Sequence, residues 1–225
     1  MSNSSTIPPT AQQFFVTGIS TEVGKTVCSA LLVKALEADY WKPVQSGDLH
    51  LTDTMKVAHW TGTSLPSPRF HPETYRLTEP LSPHASAALD GIRIELDRFQ
   101  LPATGRPLIV EGAGGLLVPL NEKDTVLDLM ERLQLPVILV SRNYLGSINH
   151  TLLSIAQLRQ RGIPLAGLVF SGNPVPASEA VIEQLSGARV LFRIPEFSAL
   201  SLPAIADAAE GLRKAGIFAS SINPI

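Results

Sequence analysis

Cysteine is almost absent from this sequence, because Cys28 is the one example among 225 residues. A single cysteine cannot form an internal disulfide, so a small secreted fold held together by disulfides is excluded. Histidine is scarce as well, and the five histidines include no i, i+4 pair of the kind that binds zinc. They are His50, His59, His71, His84 and His150.

An excess of charge of one sign is also lacking, because 18 basic side chains face 20 acidic ones and leave a net charge of -2. Nucleic-acid binding requires a basic surface, so that class of partner is not indicated. The 44% of hydrophobic residues and the 17% of charged residues exclude a disordered chain and an extended coiled coil. Apolar runs such as residues 137–140 are far shorter than the roughly 20 residues that span a bilayer, so no membrane segment is predicted.

The N-terminal stretch, residues 1–11, is rich in Ser, Thr and Pro and carries no charged side chain. It has neither the positive region nor the apolar stretch of a signal peptide. We therefore expect a flexible tail at residues 1–11, one domain at residues 12–225 and a cytoplasmic location. The sequence shows no internal repeat or linker that would divide this domain.

Short apolar runs alternate with longer amphipathic stretches along the chain. The short runs predict buried strands, and the longer stretches, which end near Gly or Pro, predict helices. This alternation is typical of an α/β fold with a doubly wound, mostly parallel sheet covered on both faces. The predicted strands are 14–16, 108–110, 137–140 and 168–170, and the predicted helices are 27–38, 126–133, 147–161 and 178–185.

Residues 62–83 interrupt this alternation, since they contain five prolines and no clear period. Irregular segments of this length in a compact domain are usually lids or binding loops. We therefore predict a long loop with a functional role.

A phosphate-binding loop is indicated by Gly18, Gly24, Lys25 and Thr26, which match the pattern G-x-x-x-x-G-K-[ST]. The pattern follows an apolar strand and opens a predicted helix, so backbone N–H groups can bind phosphate oxygens. Lys25 would reach the β- and γ-phosphates from a solvent-facing loop, and the Thr26 hydroxyl would bind Mg²⁺. The alternative is a strand-to-helix turn in which the glycines only shape the backbone.

A second candidate is Glu111, which ends an apolar strand and precedes a glycine turn. Ligands of open α/β folds bind at this carboxyl edge of the sheet, and a carboxylate there can hold Mg²⁺ directly or through water. The alternative is a carboxylate that caps nearby N–H groups. The glycine turn is not a dinucleotide-binding fingerprint, because position 117 is leucine.

As isolated residues, Lys42 and Asp53 do not indicate a functional role. Lys42 follows a short apolar strand and Asp53 opens a predicted helix, which ordinary surface charges also do.

Five motifs in order nevertheless give the chain a family resemblance. They are Thr-Glu-Val-Gly-Lys-Thr-Val, Lys-Pro-Val-x-Ser-Gly, Ser-Pro-His at 82–84, Val-Glu-Gly-Ala-Gly-Gly and Leu-Gly-Ser-Ile-Asn-His at 145–150. Together they resemble the dethiobiotin synthetase family over residues 14–197. The resemblance implies a P-loop nucleoside triphosphatase fold and a cytoplasmic homodimer. It also implies a cyclo-ligase of biotin biosynthesis that makes dethiobiotin, ADP and phosphate from 7,8-diaminononanoate, CO₂ and ATP with Mg²⁺.

The resemblance also assigns residues. Lys42 and Lys25 would be catalytic, and Thr26, Asp53 and Glu111 would hold the metal. Ser46, Gly146, Ser147, Ile148 and Asn149 would contact the substrate. The nucleotide would be bound by Glu22, Val23, Gly24, Lys25, Thr26, Val27, Asp53, Glu111, Gly112, Ala113 and Gly114, with Pro195, Glu196 and Phe197 beside the adenine.

The sequence departs from the family pattern in two places. The stretch 38–41 is shorter than usual, which predicts a truncated second strand. Where the family commonly has Asn-Asp, this sequence has Ser171 and Gly172, and Asn173 follows. The preference for ATP over other triphosphates is therefore left open.

Residues 145–150 predict a substrate site shared between two subunits. They follow a predicted strand and open a helix, whose free N–H groups can bind the substrate carboxylate. In the family that the chain resembles, this helix start belongs to the partner subunit. The alternative is that Gly146 and Asn149 only shape the turn and cap the helix within one chain.

The main alternative function is a nucleotide-dependent switch of the partitioning or septum-site class. Such proteins carry an additional lysine early in the phosphate loop, where this sequence has Ile19, Ser20 and Thr21. An amidotransferase-type ligase of the same fold would need a glutaminase cysteine, which the sequence does not offer. A triad of Ser/His/Asp or Cys/His type is not indicated either.

Overall fold

The computed structural model describes residues 12–218, which form a single α/β domain. Within this range the strands are β1 (Gln13–Gly18), β2 (Asp39–Trp41), β3 (Val44–Ser46), β4 (Phe70–His71), β5 (Tyr75–Leu77), β6 (Leu108–Gly115), β7 (Val137–Arg142), β8 (Leu165–Ser171) and β9 (Val190–Arg193). The helices are α1 (Lys25–Leu36), α2 (Asp53–Thr61), α3 (Pro83–Leu89), α4 (Val126–Leu133), α5 (Ser147–Gln160), α6 (Pro176–Ser186) and α7 (Leu202–Lys214).

Seven of the described strands form one sheet in the order β4-β2-β6-β1-β7-β8-β9, and β3 and β5 form a separate pair. Every pair within both sheets is parallel. The chain leaves β1 in the middle of the large sheet, builds one side of it, and returns through β6 and β7 to build the other. The predicted doubly wound α/β fold is confirmed, and its strands end at the same edge.

The core consists of two layers, one on each face of the large sheet. Successive residues of β1 alternate between them, since Phe15 packs in one layer while Phe14 and Val16 pack in the other. Helices α1, α2 and α7 supply side chains to the second layer, and α3, α4, α5 and α6 supply them to the first. Because both faces are covered, the central strands are apolar throughout rather than alternating.

The predicted elements exist, with shifted ends. Helix α4 has the predicted bounds, while α1 begins at Lys25 and not at residue 27. The strands extend beyond their apolar runs into glycine and polar residues, as β6 does up to Gly115. Strand β2 has three residues, in agreement with the predicted truncation. Strand β9 and helix α7 were not predicted.

The prediction that residues 62–83 form one irregular loop is wrong. Strand β4 pairs with β2, strand β5 pairs with β3, and α3 begins at Pro83. These strands have two and three residues, which is too short for a hydrophobic period to be visible in the sequence.

Among the described residues, no helix combines the length and the hydrophobicity needed to cross a membrane. The predicted tail at residues 1–11 lies outside the described residues.

We expect Leu139→Ala to destabilise the domain strongly, because Leu139 is fully buried in β7, an interior strand of the large sheet. Removing a buried leucine side chain of this kind costs about 2–5 kcal/mol of unfolding free energy. The matched control is Leu185→Ala on α6, where the same change at a side chain that is 64% exposed should alter stability by less than about 0.5 kcal/mol. Urea denaturation of both variants measures the difference, and equal losses would contradict the assigned core.

Candidate active site

A cleft of about 1240 Å³ opens at the edge where the strands of the large sheet end. Its walls come from the β1–α1 turn, the β3 segment, the start of α2, the end of β6 and residues 80–83. The predicted site residues that line it are Glu22, Gly24, Lys25, Thr26, Val27, Lys42, Ser46, Asp53, Glu111, Ala113 and Gly114. The structure therefore brings the three predicted metal residues and most of the predicted nucleotide residues to one place.

The phosphate-loop sequence forms a tight turn between β1 and α1. Gly24 has a φ of 96°, in the left-handed region where a side chain would strain the backbone. An added Cβ at Gly18 would lie 2.4 Å from a methyl carbon of Val23, so glycine is required there too. The helix that follows directs the free N–H groups of its first turn toward the cleft.

Lys25 is buried rather than solvent-facing, which corrects the expectation from the sequence. It is the first residue of α1, is 7% exposed, and its Nζ donates a hydrogen bond of 3.0 Å to the Ser20 carbonyl. Burial, followed by the charge of Lys42, lowers the pKa of Lys25 to about 8. The loop therefore holds a poorly solvated cation, which an anionic ligand would stabilise.

Four side chains meet at the centre of the cleft. Lys42 Nζ lies 2.7 Å from Asp53 Oδ2 and 3.0 Å from Glu111 Oε1. The Thr26 hydroxyl donates to the same Glu111 oxygen at 2.9 Å. Lys42 is thus 4% exposed and lies between two carboxylates, although as an isolated residue in the sequence it gave no indication of a function.

The charges of this cluster stabilise one another. Burial disfavours the ammonium of Lys42, but Glu111 and Asp53 outweigh that effect and raise its pKa above the ordinary value. Burial likewise acts to raise the pKa of Asp53, but Lys42 and then Lys56 outweigh it and lower that pKa to about 2. Lys42 is therefore a cation and Asp53 an anion throughout the neutral range.

The donors at this point suit Mg²⁺. One hydroxyl and two carboxylates offer only hard oxygen ligands, which Mg²⁺ prefers. Thr26, Asp53 and Glu111 supply them, and the short contacts through Lys42 and Glu111 hold all three near one point. The described residues contain no group of three or more His, Cys, Asp or Glu side chains that would hold a metal ion. A Mg²⁺ ion at this place would complete its coordination with water and phosphate oxygens.

The remaining predicted residues do not line the cleft. Val23 is a buried residue of the phosphate loop, and Gly112 packs against the Phe15 ring. Residues 146–149 open α5, and residues 195–197 follow β9. The second group begins next to Ile194, whose Cδ1 would lie 3.4 Å from an added Cβ at Gly24.

Several residues that shape the site were not predicted from the sequence. The Tyr40 hydroxyl donates to Glu111 Oε2 at 2.9 Å, and Gln45 Oε1 accepts a hydrogen bond of 3.2 Å from the Asp53 N–H. Lys56 Nζ lies 3.3 Å from Asp53 Oδ1. The i, i+3 spacing of Asp53 and Lys56 was a usable signal for the last pair. The other two contacts depend on tertiary structure.

Ser171, where the family pattern has asparagine, holds the phosphate loop in place. Its hydroxyl donates to the Val23 carbonyl at 2.6 Å. Arg142, at the end of the neighbouring strand, donates to the Glu22 carbonyl at 3.0 Å. The ends of β7 and β8 therefore fix the outer side of the loop through its carbonyl groups.

We expect Lys25→Met to weaken nucleotide binding without lowering stability. A charged hydrogen bond contributes about 1.5–3 kcal/mol, so the dissociation constant for ADP should rise roughly 10-fold to 100-fold. The unfolding temperature should stay the same or rise, because the variant buries no charge at this position. Calorimetric titration and thermal unfolding measure the two effects. Normal ADP affinity would contradict the assigned role of Lys25.

A family model described as an AAA domain matches residues 12–204. The ATP-dependent dethiobiotin synthetase BioD of Christiangramia forsetii is 47% identical over 203 residues, which cover 90% of this chain and 97% of that protein. The protein of the same name from Rhodopseudomonas palustris strain BisB5 is 50% identical over 190 residues, which cover 84% of this chain and 89% of that protein.

Two solved structures with a similar fold are much more distant in sequence. A putative plasmid partition protein from Borrelia burgdorferi bound to AMPPNP has a TM-score of 0.57 at 11% identity and covers 93% of this chain and 98% of that one. The Pyrococcus furiosus cell division ATPase MinD has a TM-score of 0.53 at 14% identity and covers 91% and 99%. These two share the fold, while the high identity over nearly full length identifies the family. The chain belongs to the ATP-dependent dethiobiotin synthetase family.

Proposed function

We propose that this protein closes the ureido ring of dethiobiotin from 7,8-diaminononanoate, CO₂ and ATP in the presence of Mg²⁺, as a cytoplasmic homodimer. The observation that carries the proposal is the buried position of Lys42 between Asp53 and Glu111, in the same cleft as the phosphate loop. The names of its relatives, ATP-dependent dethiobiotin synthetases, support the same activity.

The reaction requires two anions to approach each other. One substrate amine adds to CO₂ and loses a proton, which gives a carbamate. A carbamate oxygen attacks the γ-phosphorus of ATP and ADP leaves, which forms a carbamic-phosphoric anhydride. The second amine then attacks the carbamate carbon, loses a proton and expels phosphate, which closes the ring. None of these steps needs a nucleophilic side chain.

Lys25 and Lys42 supply the positive charge that this approach needs. Lys25 would contact the β- and γ-phosphates, and Lys42 would lie between the carbamate and the transferred phosphoryl group. Both side chains are buried, so their charges act in a medium that screens them less than water does. Lys42 is also held in place before the reaction by its two carboxylate partners.

Thr26, Asp53 and Glu111 would hold the Mg²⁺ ion, which when bound neutralises phosphate charge. Backbone N–H groups of residues 22–27 would bind the phosphates, with residues 111–114 beside them. Residues 195–197 would lie beside the base, since they follow Ile194 on the outer side of the phosphate loop.

Ser46 and the start of α5 would form the substrate side. Ser46 lines the cleft, and its hydroxyl is buried without a hydrogen-bond partner in the described part of the chain. Gly146, Ser147, Ile148 and Asn149 do not line the cleft of their own chain, while Tyr144, Leu145 and Leu153 beside them are exposed. A helix start that lies away from its own cleft, next to exposed apolar side chains, supports a role in the partner's substrate site.

The proposed activity predicts that ATP turnover depends on both other substrates. Phosphate release should be low with ATP and Mg²⁺ alone and should rise strongly when diaminononanoate and bicarbonate are both present. A nucleotide-dependent switch would ignore both compounds, so equal rates with and without them would contradict the proposal.

Lys42→Gln should reduce kcat roughly 100-fold to 1000-fold and change ADP affinity little, because Lys42 acts on charge that develops during transfer. Lys34→Gln, which loses a hydrogen bond to the Thr61 carbonyl, is the matched control.

The shared site predicts that two inactive variants restore each other. Lys25→Met removes the phosphate contact, and Asn149→Glu places a negative charge at the start of α5 to repel the substrate carboxylate. When the subunits exchange, half of the dimers are mixed and each has one undamaged site, so roughly a quarter of wild-type activity should return.

The control for this mixing experiment combines Lys25→Met with Lys42→Gln, which damage the same side of the site, so no mixed dimer has an undamaged site and no activity should return. If each site lies within one chain, both sites of a mixed dimer remain damaged and no activity returns.

A further inference from the structure

Glu111 uses its two carboxylate oxygens differently. Oε1 accepts hydrogen bonds from the Thr26 hydroxyl at 2.9 Å and from Lys42 Nζ at 3.0 Å. Oε2 accepts one from the Tyr40 hydroxyl at 2.9 Å. Glu111 and Tyr40 are both fully buried.

The position of Tyr40 follows from strand register. Tyr40 in β2 lies opposite Ile109 in β6, and Glu111 is two residues farther along β6. Residues two apart in a strand point to the same face, so the Tyr40 ring and the Glu111 side chain share one face of the sheet. The hydroxyl at the far end of the ring reaches the carboxylate.

The ring itself has little freedom to move. It packs against Phe70 with centroids 5.7 Å apart, within the core layer that α1 and α2 cover. A phenol held in this way donates to Oε2 in a fixed direction, which fixes the rotation of the whole carboxylate.

We propose that Tyr40 is a positioning residue that occupies one oxygen of Glu111 and leaves the other, Oε1, directed at Thr26 and the metal position. The inference rests on the proposed metal role of Glu111. Thr26 and Lys42 both meet Oε1, so this is the oxygen that a metal ion beside Thr26 would share. When Thr26 binds the ion and Lys42 contacts the phosphates, their hydrogen bonds to Oε1 would be lost. The hydrogen bond from Tyr40 would still hold the Glu111 carboxylate in its orientation.

The test measures metal binding directly, with Mn²⁺ as the probe. The unbound Mn²⁺ signal is followed by electron paramagnetic resonance in the presence of a saturating non-hydrolysable ATP analogue. Loss of a partner that orients a metal ligand typically weakens metal binding 10-fold to 100-fold, so Tyr40→Phe should raise the Mn²⁺ dissociation constant by roughly 10-fold. Tyr75→Phe is the matched control, because its hydroxyl accepts a 3.0 Å hydrogen bond from the Glu95 N–H.

A double variant separates the inference from the proposed function. Glu111→Gln should weaken Mn²⁺ binding, and adding Tyr40→Phe to it should weaken binding no further, because Tyr40 acts through Glu111. If Glu111→Gln leaves Mn²⁺ affinity unchanged, the metal role of Glu111 falls and the inference falls with it. If Glu111→Gln weakens binding but Tyr40→Phe does not, or if the two losses add fully, the role of Tyr40 alone is overturned.

A measurement on the intact side chain covers the case in which Tyr40→Phe does not fold. The chain has three tyrosines, so a protein made with 3-fluorotyrosine gives three fluorine resonances. Tyr75→Phe and Tyr144→Phe identify two of them and leave the third to Tyr40. Adding Mg²⁺ to the analogue-bound protein should shift the Tyr40 resonance in the wild type and not in Glu111→Gln. A Tyr40 resonance that does not respond to Mg²⁺ would overturn the inference.

Discussion

The site depends on one buried ion cluster, in which the Lys42 ammonium lies between the carboxylates of Asp53 and Glu111. Its members come from three parts of the chain, namely the residue after β2, the start of α2 and the middle of β6. Removing one member would leave an unpaired charge in a poorly solvated place, which is far more costly than losing a surface pair. The cluster therefore ties the chemistry to the correct assembly of the sheet edge.

The sequence predicted the parts of the site that are encoded locally. The phosphate loop is a continuous pattern, and Glu111 comes directly after the apolar run 108–110, so the amino-acid sequence alone was enough to place both at the sheet edge. The α/β alternation was visible for the same reason, because β7 and β8 are apolar along most of their length.

The contacts that could not be predicted depend on strand register or on very short elements. Tyr40 meets Glu111 because β2 pairs with β6 in one register, and no pattern over three residues fixes that register. Strands β4 and β5 could not be predicted within the proline-rich segment, since a strand of two or three residues is too short to show a hydrophobic period. The burial of Lys25 could not be predicted from the loop pattern, because it follows from the inclusion of this lysine in the first turn of α1.

The fold alone would not have identified the activity. Partition and cell division ATPases share this architecture at 11% and 14% identity. In this chain the site lies at the sheet edge, where β2 is followed by Lys42 and then by a second small sheet. Function in such folds resides in the site that is built on the common frame.

The junction between the two sheets has a consequence of its own. Strand β2 ends at Trp41 and β3 begins at Val44, so Lys42 and Pro43 alone carry the chain from one sheet to the other. Proline has a fixed φ and keeps the residue before it in extended backbone, which leaves the Lys42 main chain few conformations even in the unfolded state. Less conformational entropy is then lost when the lysine is placed between its carboxylates. The covalent ring of Pro43 thus contributes to the fixed position of Lys42 in the site.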